Sequence, residues 1–220
     1  IYYSVQTGFA DFQIIAEKPI SMDLDVVLAG ERSNYYVSTP PNYTFDEAIS
    51  RIQGKLVDLN ELEPYPSPLV YQKKSYRHWD ALDEAIYREV TNDMRKPFAH
   101  IMKSTGACSN KIFQWFRDRH KFGQTITMFF PQGESSYQLS LFSIKTSNDW
   151  LLIDLFSQLP TSTVFYRVGN RLMMSIYLPF YPSPTGRLIV RKVLSYLQKK
   201  ELVGSYTNSI VEYYYCLLYT

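Results

Sequence analysis

The sequence predicts an α+β chain: three short helices, then a βαββαβ sandwich, with part of a second α+β sandwich ahead of both. Three observations predict it. From residue 136 the apolar period alternates between strand-like and helix-like in the order strand, helix, strand, strand, helix, strand. Between residues 79 and 122, three short helical patterns surround one glycine, Gly106. Ahead of them EPYPSP, residues 63–68, carries three prolines in six positions, which neither a helix nor a sheet interior accepts.

In order, IYYSVQ and FQIIAEK read as strands joined by the glycine turn TGFAD, residues 7–11. SMDLDVVLAG, residues 21–30, reads as a short helix, and NYYVST as a strand ended by Pro40 and Pro41. NYTFDEAISRIQGK has a capping residue, Asn42 or Thr44, and acids in its first turn, so a helix follows. These elements form an N-terminal α+β domain over 1–63, and 64–78 is a proline-rich linker. IYYSVQTG also echoes VFYRVGN at 164–170, each followed by a strand, so residues 1–41 read as the later part of another sandwich. YPSP recurs at 65–68 and 181–184 at a different offset, so one duplication does not explain both echoes.

In WDALDEAIYREVTND, Asp80 and Asp83 stand where a helix start favours acids, and Leu82, Ile86 and Val90 share one face. Phe98, Ile101, Met102 and Thr105 form a second helix stopped by Gly106, which reaches the left-handed conformation at low cost. Ser109 can cap a third helix, where Ile112, Trp115, Phe116 and Arg119 share a side and Lys111, Gln114, Arg117 and Asp118 point outward. This unit covers 79–123. QTITMFF then reads as a strand ended by Pro131, inside a linker of 124–135. Residues 136–220 supply YQLSLFSIK, DWLLIDLFSQL, TVFYRV, RLMMSIYLPF, GRLIVRKVLSYLQKK and YTNSIVEYYYCLLY, with Gly169-Asn170 as a tight hairpin. That order is the split βαβ, or ferredoxin-like, sandwich of four antiparallel strands under two helices.

Composition narrows the function classes. At 45% hydrophobic and 16% aromatic, the chain can bury a core and is not a disordered tail. No apolar run approaches the roughly 20 residues of a membrane helix. Ile1 is not an initiator methionine, which points to a fragment, and no basic-then-apolar signal pattern opens the chain. Cys108 and Cys216 lie far apart without a CxxC, which fits a reducing cytoplasm. Charge is segregated: residues 95–121 hold seven cations and one acid, while the rest of the chain holds 16 cations and 20 acids. Such a segment is the electrostatic footprint of a phosphate-binding surface. His78, His100, His120 and Cys108 match no zinc spacing, and no phosphate loop, GxSxG or HExxH occurs. Acid pairs such as Asp23 and Asp25, or Asp83 and Glu84, sit where helix starts want negative charge, so no residue is assigned to catalysis or to a metal.

With LDEAIYREV as first helix, FAHIMKSTGACSNKIFQWF as helix-turn-helix and FGQTITMFFP as linker strand before βαββαβ, residues 79–220 resemble the Lrp/AsnC family of feast/famine transcription regulators. There a helix-turn-helix is joined by a strand to a ferredoxin-like sensing domain. The resemblance implies a cytoplasmic, sequence-specific regulator that binds double-stranded DNA, is no enzyme, needs no cofactor and forms homo-oligomers. It also implies control by an amino-acid-like effector. A helix-turn-helix lays its second helix in the major groove, so Ser109, Asn110, Lys111 and Gln114 would face bases. Arg95, Lys96, Lys103, Arg117, Arg119 and Lys121 would neutralise phosphates. TGFAD resembles a turn of the sensing domain, so Thr7, Gly8 and Asp11 would contact the effector, the turn offering amides to a carboxylate.

Some residues depart from the family. Met102 replaces a usual small alanine, Cys108 stands at the usual cap, and Phe113 and Trp115 occupy recognition-helix positions commonly polar. Two other readings stay open. Sirohaem decarboxylases resemble the same architecture, although all three histidines lie at the helical unit or its edge and none in the sandwich. A ligand-binding oligomerisation module without DNA binding would suit Met102 and Phe113.

Overall fold

A computed structural model of the chain describes residues 2–16, 20–21, 23–59, 62–71, 79–91, 93–180 and 185–216. Residues 72–78 of the linker expected over 64–78, His78 among them, and the second YPSP at 181–184 lie outside the described residues. In chain order the elements are β1 (Tyr2–Gly8), β2 (Phe12–Ile15), β3 (Tyr36–Val37), α1 (Phe45–Val57), α2 (Ala81–Val90), α3 (Phe98–Thr105) and α4 (Ser109–Phe122). Then come β4 (Tyr137–Lys145), α5 (Asp149–Phe156), β5 (Val164–Val168), β6 (Arg171–Pro179), α6 (Thr185–Lys199) and β7 (Tyr206–Cys216). Two compact units result, one from the described parts of 1–72 and 126–215, the other from those of 73–125.

The first unit holds a seven-stranded sheet in the order β2-β1-β7-β4-β6-β5-β3. Its middle, β7-β4-β6-β5, is the order of a βαββαβ sandwich, with β4 antiparallel to both β6 and β7 and β5 antiparallel to β6. The expected elements of 136–220 therefore fall where their periodicity puts them. Residues 1–63 differ from expectation: they form no separate partial sandwich. The β1–β2 pair joins the sheet beside β7, and β3 pairs with β5 at the opposite edge. A lone two-stranded hairpin is marginal in water, whereas a sheet edge offers a row of unpaired amides and carbonyls. Helix α1 joins the same core as α5 and α6. Ala48, Ile49 and Ile52 pack there with Phe142, Leu152, Phe156, Met174 and Leu194. Thr44, one of two expected caps, closes α1 in a capping box with Glu47.

The other sheet face is covered as well. Leu141, Tyr166, Met173 and Val211 pack there against Phe9, Leu28 and Tyr35 from the N-terminal segment. This explains why Ser140 to Ile144 of β4 are buried without alternation, since a strand covered on both faces has no solvent side. No helix forms among the described residues of 21–30. Leu24, Val26 and Val27 there stay more than half exposed, so coiling would bury no face. Gly8, with φ of 150°, lies so close to β7 that a Cβ would stand 2.4 Å from the Asn208 carbonyl oxygen. A part-buried ion pair ties β5 to the start of α5: Arg167 Nε and Nη2 each donate to Asp149 at 2.6 Å, and Nη2 also donates to the Thr146 carbonyl. Residues 124–130 form no strand. Phe129 instead exchanges hydrogen bonds with Ser162, its N–H donating to Ser162 Oγ and its carbonyl accepting from the Ser162 N–H.

Candidate nucleic-acid interface

The second unit is built on α2, α3 and α4. Asp80 caps α2 in a reciprocal box with Asp83: the Asp83 N–H donates to Asp80 Oδ1 at 2.7 Å and the Asp80 N–H to Asp83 Oδ2 at 3.2 Å. Ile86, Val90, Ile101, Ala107, Ile112 and Trp115 form the core, flanked by Trp79, Tyr87, Met94, Phe116 and Phe122. Leu82, expected on the inner face with Ile86 and Val90, is 39% exposed; Asp83 is buried in its stead. Helix α3 ends at Gly106, whose φ of 72° is left-handed and whose N–H donates to the Met102 carbonyl. Three residues later α4 begins. Its cap position is Cys108, not Ser109, and no side chain caps it.

On α4, Ile112 and Trp115 turn inward and Phe116 stacks beside Phe98 with ring centroids 5.4 Å apart. Ser109, Asn110, Phe113, Gln114 and Arg117 face solvent, and Phe113 is 60% exposed. Among the described residues, no hydrogen bond or ion pair engages the side chains of Ser109, Asn110 or Gln114. Lys111 behaves differently from expectation. Its ammonium lies 2.8 Å from Asp80 Oδ2 and 3.0 Å from Asp83 Oδ1, joining the starts of α4 and α2. Burial pulls the Lys111 ammonium down, but its hydrogen bonds to Asp80 and Asp83 outweigh this and hold it above its usual value. The Lys111 hydrogen bond, then the Asp83 amide, holds Asp80 at about 2. Lys111 therefore ties the starts of two helices together inside the unit.

Asp118 is the other departure. Expected outside, it is 8% exposed and takes ion pairs from Arg117 at 3.3 Å and Lys121 at 3.1 Å, which hold its carboxyl below the usual range. Both cations keep more than half of their side chains in solvent. Lys96 pairs with Glu89 at 2.8 Å, beside His100. Arg119 is exposed, one guanidinium nitrogen donating to the Phe116 carbonyl. Arg95 and Lys103 are exposed with no ion pair among the described residues. Residues 79–125 hold eight cations and six acids, so α2 and the turn after it offset most of the charge segregated on 95–121. Those acids lie just upstream of that segment, at 80, 83, 84, 89 and 93, where a count that begins at 95 misses them.

Thr7, Gly8 and Asp11 sit in the first unit, where β1 turns into β2. Thr7 and Asp11 are exposed. The nearby Phe9 N–H is spent on β7, on the Asn208 carbonyl and Ser209 Oγ, and the Gln6 N–H on the Asp11 carbonyl. Gly8 is accounted for by its closeness to β7. Among the described residues no group of three or more His, Cys, Asp or Glu could hold a metal ion, and no helix is long and apolar enough to cross a membrane.

No family model matches the chain, and no curated protein matches it. Among solved structures the chain is similar to AsnC of E. coli, with a TM-score of 0.37 and 16% identity over 63% of this chain and 94% of that one.

Proposed function

We propose that the three-helix unit is a helix-turn-helix that binds double-stranded DNA, and that the chain is a transcription regulator of the Lrp/AsnC type, acting in the cytoplasm as a homo-oligomer. The observation that carries this reading is the outer face of α4. It follows a left-handed glycine turn and presents Ser109, Asn110 and Gln114 without internal partners, beside the exposed Arg117. Asparagine and glutamine amides can pair with base edges, and side chains left unengaged give up no internal bond to do so. Arg95, Lys103, Arg117, Arg119 and Lys121 remain the phosphate-contacting set. Lys96 and Lys111 leave it and the base-reading set respectively, because carboxylates of α2 and its cap hold them and most of each side chain is covered, whereas Arg117 and Lys121 stay more than half exposed beside Asp118.

The ion pairing also favours a second reading, in which the helical unit serves oligomerisation or ligand binding without DNA. Salt-dependent binding separates the two. Affinity for a random duplex pool, measured from low to high salt, is expected to fall linearly on a log-log scale. Lys103→Ala with Arg117→Ala should make the slope shallower by about 1.8, or about 0.9 for each phosphate that is no longer neutralised. A folded protein that binds no duplex even at low salt sinks the regulator and leaves the second reading.

A further inference from the structure

Four aromatic residues lie on α4: Phe113, Trp115, Phe116 and Phe122. Three are committed to the unit's interior. Trp115 and Phe122 have ring centroids 5.2 Å apart, and Phe116 packs on both Trp115 and Phe98. Phe113 alone turns out, at 60% exposed. It sits at the middle of the polar face, one turn after Ser109 and one turn before Arg117, flanked by Asn110 and Gln114. The ring is no member of the core formed by Ile86, Ile101, Ile112 and Trp115.

Resting on the DNA-binding reading above, we propose that Phe113 is a specificity residue that reads the 5-methyl group of thymine in the major groove. The methyl is the apolar feature that an A·T pair presents there, and a phenyl ring on a groove-entering helix is a group suited to it. Arg117 and Lys121 follow on the same side of α4, each paired with Asp118 but more than half exposed, and such a face suits a polyanion. The amides of Asn110 and Gln114 supply the polar contacts around the ring. The face therefore selects sites where a thymine lies beside bases read by those amides.

The test isolates one methyl group. Duplexes selected by the protein from a random pool are prepared in two forms, with thymine and with uracil, which lacks the methyl. The wild-type protein should bind the thymine form roughly fourfold more tightly for each thymine contacted, the worth of one buried methyl. Phe113→Ala should bind both forms alike, near the wild-type affinity for uracil, and Phe113→Leu should keep part of the preference. Equal wild-type affinity for both forms, or a preference that survives Phe113→Ala, overturns the inference while DNA binding stands. Absence of binding to either form at low salt overturns both.

Discussion

Lys111 shows how one side chain changes meaning once its neighbours are known. On a helix wheel it points outward with Gln114; in the fold it reaches back to the carboxylates that start α2. Asp83 is 1% exposed, so removing its cation leaves a buried carboxylate short of a partner. Lys111→Ala should accordingly destabilise the helical unit by about 1–3 kcal/mol in denaturant unfolding, while Gln114→Ala, on the exposed face, should stay within about 0.5 kcal/mol of wild type. Asp80 adds a pH signature. Its folded carboxyl titrates near 2, below the ordinary 3.8, so its contribution is complete above about pH 4 and is lost as pH falls through 2. Following the Asp80 carboxyl by NMR between about pH 5 and 1.5 checks this; a midpoint near 4 would refute the ion pair.

At the level of elements, what is legible in the sequence follows from where the signal resides. The strands and helices of 136–220 are readable because period and turn chemistry are local, as at Gly169-Asn170. Gly106 is readable for the same reason. Three features are not. The burial of Asp83 goes with a cation brought from another helix, which no wheel contains, whereas Asp118 pairs within α4, with Arg117 and Lys121. The helix expected at 21–30 fails for want of a face to bury, a tertiary matter. The cap of α4 shifts by one residue, because Ser109 lies inside the helix and Cys108 at its edge. That shift leaves an opening: Cys108 already has the extended backbone of a cap, φ −74° and ψ 157°, but no capping bond. Cys108→Ser should stabilise the unit by about 0.5–1 kcal/mol, readable as a higher denaturant midpoint with unchanged m-value. Gly8→Ala is the opposite case. A methyl 2.4 Å from a backbone oxygen has nowhere to go, so β1 must shift away from β7, and amide exchange should rise first in β1 and β2.

Across the whole molecule, the N-terminal segment is a covering layer and not a second sandwich. The echo between IYYSVQTG and VFYRVGN is misleading because both are strands of one sheet, which need similar residues without a shared origin. Phe9, Leu28 and Tyr35 close a face on which Leu141, Met173 and Val211 would otherwise meet water. Deleting residues 1–41 should therefore leave βαββαβ secondary structure by circular dichroism but expose that apolar face, giving dye binding and concentration-dependent aggregation. The same deletion should leave the core of α2, α3 and α4 untouched, since none of its members comes from that segment.

The strand order carries a consequence for how the chain is born. Within this sheet the strand made earliest, β1, lies beside the strand made latest, β7, and Phe9 bonds to a serine 200 residues downstream. Synthesis at about 5–20 residues per second keeps the opening hairpin waiting roughly ten seconds or more for its neighbour. Meanwhile α2, α3 and α4 emerge together and need only one another, so they can be finished while the sheet is still half made. Nascent chains stalled before β7 should then hold a protease-resistant helical unit beside an N-terminal hairpin that is still cut.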